Sequence, residues 1–369
     1  MSVNDSLFDA TVRHAVYFEQ LKNHEVRQLV AFLNDNVLPD VISSLERHLE
    51  DVVNGRRRGL FQRMRYKRMI KELKAVITSG MGKLSAESKR RLAKLYVAES
   101  EWAASSLSQH IPLDIAYDTL SLQMANAAIK HNPMHGRFVG DWYKSLGDNV
   151  ARLVQDQINI GISTGEGINR ITQRLTGARR GMYSGNAPLA GQLRRNVRTL
   201  VRTTASDVAA QARSEFYGQH SDVIKRIRWV SVLDVRTSDI CQTLDGVEWK
   251  LGEERRPPAH HQCRSTTVPI VKSWKELGLS DKTDNIKVSR LYRKYNIDDF
   301  GNVKKGMTGT ISENVTYKDW FARQKPAVQD VILGKTRGRA YRSGKISYNN
   351  FFDNGRMMTL EQLKAADRL

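Results

Sequence analysis

The chain is 369 residues long and carries 59 Lys and Arg against 39 Asp and Glu, for a formal charge of +20 and an isoelectric point near 10.0. That length supports roughly two or three domains, each with its own core, and the charge predicts attraction to nucleic acid or to an acidic protein surface without choosing between them. Two cysteines exclude the disulfide framework of small secreted domains. No apolar run approaches the roughly 18 residues of a membrane span, and the first residues lack a basic-then-apolar leader, so the expectation is a chain made and used in the cytosol of its host, with no membrane anchor.

From Asp5 to about Asn54, Phe8, Val12, Ala15 and Phe18, then Val26, Leu29, Phe32 and Leu33, recur at helical spacing, and Pro39 separates two helices. Residues 56–74, RRRGLFQRMRYKRMIKELK, hold nine Lys or Arg and one acidic residue. Their interleaved apolar residues predict a basic amphipathic helix suited to nucleic acid, an anionic membrane, an acidic partner helix, or simply a wet bundle face. Arg56, Arg57 and Arg58 are its candidate nucleic-acid contacts. Further helices are expected over 85–110 and 113–130, and His131-Asn132-Pro133 closes the last of them. Residues 1–131 thus read as a helical N-terminal region.

A second region, 132–272, opens with a helix, then Gly161, Gly165, Glu166 and Gly167, then a short helix. A phosphate loop would end in Gly-Lys-Ser/Thr, which is missing, so these glycines read as helix-capping turns. Between Arg170 and Arg202 lie eight arginines and neither lysine nor acid. The stretch from Arg179 to Gly191 predicts an exposed, mobile loop, and Arg179, Arg180, Arg194 and Arg195 are candidates for bidentate phosphate or carboxylate contacts. A helix over 193–220, with Val201, Ala205, Val208, Ala212 and Phe216 on one stripe, can pack closely through its alanines and leads into a strand, IRWVSVLD. Residues 273–305 read as short helical pieces and polar turns. The remainder of 273–369 reads as a small C-terminal module, with Pro326 opening a helix that ends at Gly334 and Thr359 and Gln362 forming a capping box.

The segment from Trp229 to Ile270 holds both cysteines. Asp234, Thr237, Cys241, Asp245 and Gly246 form one polar cluster and Pro257, Pro258, His260, Cys263 and Arg264 a second, and the two must meet through the fold. Cys241, His260 and Cys263 are candidate zinc ligands, with Asp234, Asp245 or His261 available to complete a tetrahedron, although the usual Cys-x-x-Cys knuckle is absent. Four other readings stand beside zinc. They are a metal-free hydrogen-bonded loop with buried thiols, a Cys241–Cys263 disulfide, a Cys-His nucleophile without a recognisable third orienting residue, and a metal-dependent nuclease site of His260, His261 and Asp245.

In order and spacing these residues resemble the signature of the Mu F-like head morphogenesis family, the minor head proteins of tailed bacteriophages. There an Asp-x-x-Thr-x-x-x-Cys element, a glycine, and a Pro-Pro-x-His-x-x-Cys-Arg element follow one another, as Asp234, Thr237, Cys241, Gly246, Pro257, Pro258, His260, Cys263 and Arg264 do here. The family often continues Cys-Arg-Cys, whereas this chain has Ser265, which removes a sulfur ligand. The resemblance covers Asn132 to Ile270 and, loosely, the tail. It implies a head morphogenesis domain over 132–272 in a non-enzymatic structural protein of the virion head interior, assembled in the host cytoplasm. The portal and capsid or scaffold proteins are its implied partners near the portal, with phage DNA a further one in packaging or ejection. The expected fold is mainly α with a small α+β domain around the Cys/His segment. The alternative function is a DNA-binding, metal-dependent nuclease that uses the Cys/His cluster.

Overall fold

The computed structural model describes residues 3–53, 60–111, 115–166, 168–176, 188–273, 275–277, 289–299 and 301–368. Arg56, Arg57, Arg58, Arg179 and Arg180 lie outside them. The described fold is mainly helical with small antiparallel sheets, as the sequence predicts. By contact the chain divides into two compact units that interleave in sequence, one of Met1–Glu19, Glu99–Thr119 and Ala209–Leu369, the other of Gln20–Ala98 and Leu120–Val208.

Helix α1 (Val3–Asn36), whose residues up to Glu19 count with the first unit, and α2 (Leu38–Val53), in the second, part at Val37. Pro39 falls in the first turn of α2, where its missing N–H would have no helical partner anyway. Helix α3 (Leu60–His110) fuses two expected helices into one of 51 residues. Its core stripe of Met69, Leu73, Ile77, Met81 and Leu84 continues through Gly80 and Gly82, and an interior glycine costs a helix only about 1 kcal/mol. Of the described side chains in the basic stretch, Met69 and Leu73 are buried while Met64, Lys67, Arg68 and Lys71 are exposed.

Helix α4 (Leu122–His131) starts later than expected because the Ser121 hydroxyl accepts from the Met124 amide at 3.2 Å, and it stops at Asn132. Helices α5 (Val139–Ser163) and α6 (Ile168–Thr176) pack through Gly161, where an added Cβ would lie 2.4 Å from Ile171 Cγ1. Gly161 is thus a packing residue rather than a turn. The cap belongs to Gly165, whose φ of +68° lets the Glu166 N–H reach back to the Gly161 carbonyl at 2.8 Å. Helix α7 (Pro188–Gln219) begins inside the stretch read as a loop, because Leu189, Ala190, Leu193 and Val197 already follow a buried helical stripe.

The first unit holds the Cys/His segment. Strand β1 (Ile224–Val230) is central in an antiparallel sheet between β2 (Glu248–Lys250) and β3 (Thr266–Val271), with α8 (Asp239–Leu244) in the β1–β2 connection. Alternation along β1 sends Val230 to one face, where it meets Val268, Phe8 and Val12, and Trp229 to the other, where it meets Cys241 and Cys263. The start of α1 is fastened here as well, since Asn4 Oδ1 accepts the Val271 N–H at 2.8 Å. Buried Glu99 bonds Arg213 and His14, both at 2.9 Å, and Arg213 reaches the Thr266 hydroxyl at 3.3 Å.

Residues 289–312 are a hairpin of β4 (Ser289–Ile297) and β5 (Val303–Ser312), not the helical pieces expected. The strand signal of Leu291, Tyr292, Tyr295 and Ile297 is diluted by the charges of Arg290, Arg293 and Lys294. Asp298 and Gly301 make the turn, with the Gly301 N–H donating to the Asp298 carbonyl at 2.9 Å. Beyond it, α9 (Tyr317–Ala322), α10 (Pro326–Leu333), α11 (Lys335–Arg342), the short strands β6 (Phe352–Asp353) and β7 (Arg356–Met357), and α12 (Leu360–Ala365) close over Tyr317, Trp320, Phe321 and Phe351, all fully buried. Pro326, Gly334 and the Thr359–Gln362 capping box stand where expected.

Two glycines of α3 give opposite expectations for one substitution. A Cβ on Gly80 would lie 2.5 Å from Cγ1 of the buried, rotamer-restricted Val37, whereas Gly82 has nothing within 4 Å. In chemical denaturation, Gly80→Ala should destabilise by about 1–3 kcal/mol, and Gly82→Ala should be neutral or stabilise by up to about 1 kcal/mol. Equal effects would contradict the packing. A pH effect follows from Glu313, which burial, and then its hydrogen bond to Asp5 and that group's charge, raise to about 7. A carboxyl held above its unfolded value of about 4.3 binds its proton more tightly in the fold, so stability is lost as pH climbs from that value through about 7. Melting temperature should decline over that window, and Glu313→Gln should flatten the decline.

Candidate functional site

Strand β1 hands the chain to a turn built on Asp234. Its carboxylate accepts the Arg236 amide at 3.0 Å and the Thr237 hydroxyl at 3.2 Å, and both its oxygens take the Arg264 guanidinium, at 2.7 and 2.8 Å. Burial works to raise the Asp234 carboxyl, but the Arg264 hydrogen bonds and charge, with the Arg236 and Thr237 donors, outweigh it and hold the group below the usual range. Arg264 is the fork that joins the second cluster to the first, matching a planar carboxylate in a way an ammonium cannot.

Helix α8 then carries Cys241, and Asp245 follows its end. Asp245 is buried and accepts four bonds with lengths of 2.6–3.0 Å: from the Ser231 amide, from the Tyr317 amide, and twice from Arg290. Arg290, also buried, donates in addition to the Val315 carbonyl at 3.0 Å and to the Ser231 carbonyl. Nothing in the sequence singles out Arg290, one arginine in a charged stretch 45 positions downstream of its partner. The only available signal is its place in the strand pattern of β4. Gly246, at φ +83°, turns the chain back so that its N–H reaches the Trp229 carbonyl at 2.9 Å.

Pro257 and Pro258, both buried and joined by a cis peptide bond, lead to His260 and Cys263. Cys241 Sγ lies 3.3 Å from His260 Nε2 and 3.6 Å from Cys263 Sγ. All three side chains converge, their donor atoms within 4.8 Å of one another, and among the described residues they are the group able to hold an ion. His260 Nδ1 faces the His261 carbonyl at 2.8 Å. A carbonyl only accepts, so Nδ1 bears a proton and Nε2 faces the sulfurs.

Asp234, Asp245 and His261 are not part of this group. Both carboxylates are taken up by guanidinium groups, which corrects the expectation that one of them completes a tetrahedron. The thiols are free, 3.6 Å apart, well beyond the roughly 2.05 Å of a bonded pair. The hydrogen bond with Cys241 pulls Cys263 below the ordinary thiol range, and the same contact, with burial, pushes Cys241 up. The hydrogen bond to Cys263 raises His260. This polarised trio would suit a nucleophile electrically, but both sulfurs are buried, at 2% and 1% exposure, and the His260 ring is oriented by a backbone carbonyl instead of a carboxylate. A nucleophile needs a substrate within reach. The arrangement is that of a packed, polarised joint.

Of the arginines proposed for nucleic acid, Arg194 is half-buried and donates to Asn34 at 2.9 Å, and Arg195 is exposed on α7. Arg198, not singled out from the sequence, is exposed on the same helix. Among the described residues no helix is long and apolar enough to cross a membrane.

Residues 152–268 match the family described as phage Mu protein F like protein. The matched stretch runs from within α5 to β3 and includes Cys241, His260 and Cys263. No curated protein and no solved structure matches the chain.

The Asp245–Arg290 pair can be tested by equilibrium unfolding. Asp245→Ala strands a buried guanidinium and should cost about 3–5 kcal/mol. Adding Arg290→Met should recover only part of the loss, because the Ser231 and Tyr317 amides stay without their acceptor. Additive losses in the double variant would refute the pairing.

Proposed function

We propose, from the match of residues 152–268 to the phage Mu protein F like family, that the protein is a minor head protein of a tailed bacteriophage, acting in head assembly near the portal and residing inside the virion head. The family match is the observation that carries this reading. A nuclease would need a carboxylate free to hold a metal or activate water, and Asp245 is fully committed to Arg290 and two amides. The proposed role is structural, through contacts with portal, capsid or scaffold proteins.

Phage DNA is the second partner this reading includes. The charge of +20 favours it, and exposed Arg195 and Arg198 on α7, with Lys67, Arg68 and Lys71 on α3, are the described cations for phosphate contact. Such binding would be indifferent to sequence and would weaken steeply with salt as counterions return to the DNA.

Mass spectrometry of purified virions and of empty procapsids tests the main reading. The protein should be present in both, in few copies, and should copurify with portal. Absence from both particles would overturn it, as would cleavage of DNA by the purified protein with Mg, Mn or Zn. For the DNA contact, charge reversal at Arg195 and Arg198 should reduce the slope of log affinity against log salt by about 0.9 for each lost phosphate contact. An unchanged slope would remove α7 from the interface.

A further inference from the structure

Across 19 and 22 positions of chain, Cys241 Sγ meets His260 Nε2 and Cys263 Sγ, and the three form a ligand set suited to one ion. A tetrahedral zinc ion, with Zn–S near 2.3 Å and Zn–N near 2.0 Å, holds two sulfurs about 3.8 Å apart and a sulfur and a nitrogen about 3.5 Å apart. Here the two sulfurs are 3.6 Å apart and Cys241 Sγ is 3.3 Å from His260 Nε2. A small outward adjustment would centre an ion among them. The surroundings also match a ligand set. His260 is turned by its Nδ1 bond to the His261 carbonyl so that Nε2 faces the sulfurs, and the backbone amides of Ser265 and Ala259 donate to Cys263. Ser231, which donates to the Cys241 carbonyl at 2.7 Å, fixes the other arm. Such outer contacts orient metal ligands and tune them.

We infer that Cys241, Cys263 and His260 bind one zinc-class ion, with a water at the fourth position on the half-exposed His260 side. On binding, both thiols release their protons to solvent and coordinate as thiolates, while neutral His260 coordinates through Nε2. Two thiolates and an imidazole favour zinc over the oxygen-seeking magnesium and calcium. The ion would tie α8 to the turn before β3, across the long connection that contains β2. Nothing in this depends on where in a phage head the protein acts.

The experiment uses the full-length chain, purified reduced and without an affinity tag or chelator. Elemental analysis should find a single zinc per chain. Replacement by cobalt(II) should give a thiolate-to-cobalt charge-transfer band and the intense d–d bands of a tetrahedral ion. Chelation should lower the melting temperature, and added zinc should restore it. His260→Ala should lose the ion or bind it far more weakly, and His261→Ala should keep it. Since Cys241→Ser or Cys263→Ser can fail to fold, chelation and restoration of the unaltered protein serve as the independent measurement. A natively folded protein, by circular dichroism, that contains no metal and shows no tetrahedral cobalt spectrum overturns the proposal. So does full zinc retention by His260→Ala, or a metal lost with His261→Ala.

Discussion

A carboxylate removed from water must have its oxygens matched bond for bond, and Asp245 meets that demand by drawing four separate elements to one point. Arg290 from β4, the Ser231 amide at the end of β1 and the Tyr317 amide at the start of α9 all converge on the residue that ends α8. Burying such a pair gains little over a well-packed apolar contact. Its consequence is geometric, because a charge pair with every lone pair satisfied tolerates no alternative docking of the strands it joins. The Cys/His group inherits that definition, since Cys241 rides on the helix whose far end Asp245 pins, and Cys263 lies beside Arg264, which is pinned in turn by Asp234.

The two carboxylates of the signature thus belong to its framework, and the sulfurs and the imidazole are the groups whose bonding capacity that framework leaves in place. Asp–Arg forks fix where the loops run, while Trp229, Ile240, Leu244, Trp249 and Ala259 pack around the sulfurs.

Much of this was legible in the sequence wherever local chemistry decides the outcome. The helix opened by Pro326, the capping box of Thr359 and Gln362, the strand through Ile227 to Val230 and the stop at Asn132 rest on residue-scale preferences. The meeting of Cys241 with His260 and Cys263 was legible only as a requirement that two clusters join. The misreadings have tertiary causes. The separate helices expected over 56–74 and 85–110 are one, because the buried stripe of α3 runs on through Gly80 and Gly82. Gly161 looked like a turn because a close approach by Ile171 leaves no mark at the glycine itself. The β4–β5 hairpin was hidden because its inward and outward faces both carry basic residues. Arg290 could not be found at all, since a long-range ion pair has no local signature.

The first turns of α1 lie against β1 and β3, with Phe8 and Val12 on Val230 and Val268, and Asn4 on Val271. A ribosome releases Phe8 long before it releases Val268, so the opening segment emerges without the surface it will cover. Folding of this unit therefore waits for a late stretch of chain, a non-local closure of the kind that slows folding. The same dependence means that residues 152–268 cut out alone would leave Val230 and Val268 bare, and the apolar strip so exposed invites association between copies. What a family boundary delimits in sequence is, in this chain, less than what the sheet needs to be covered.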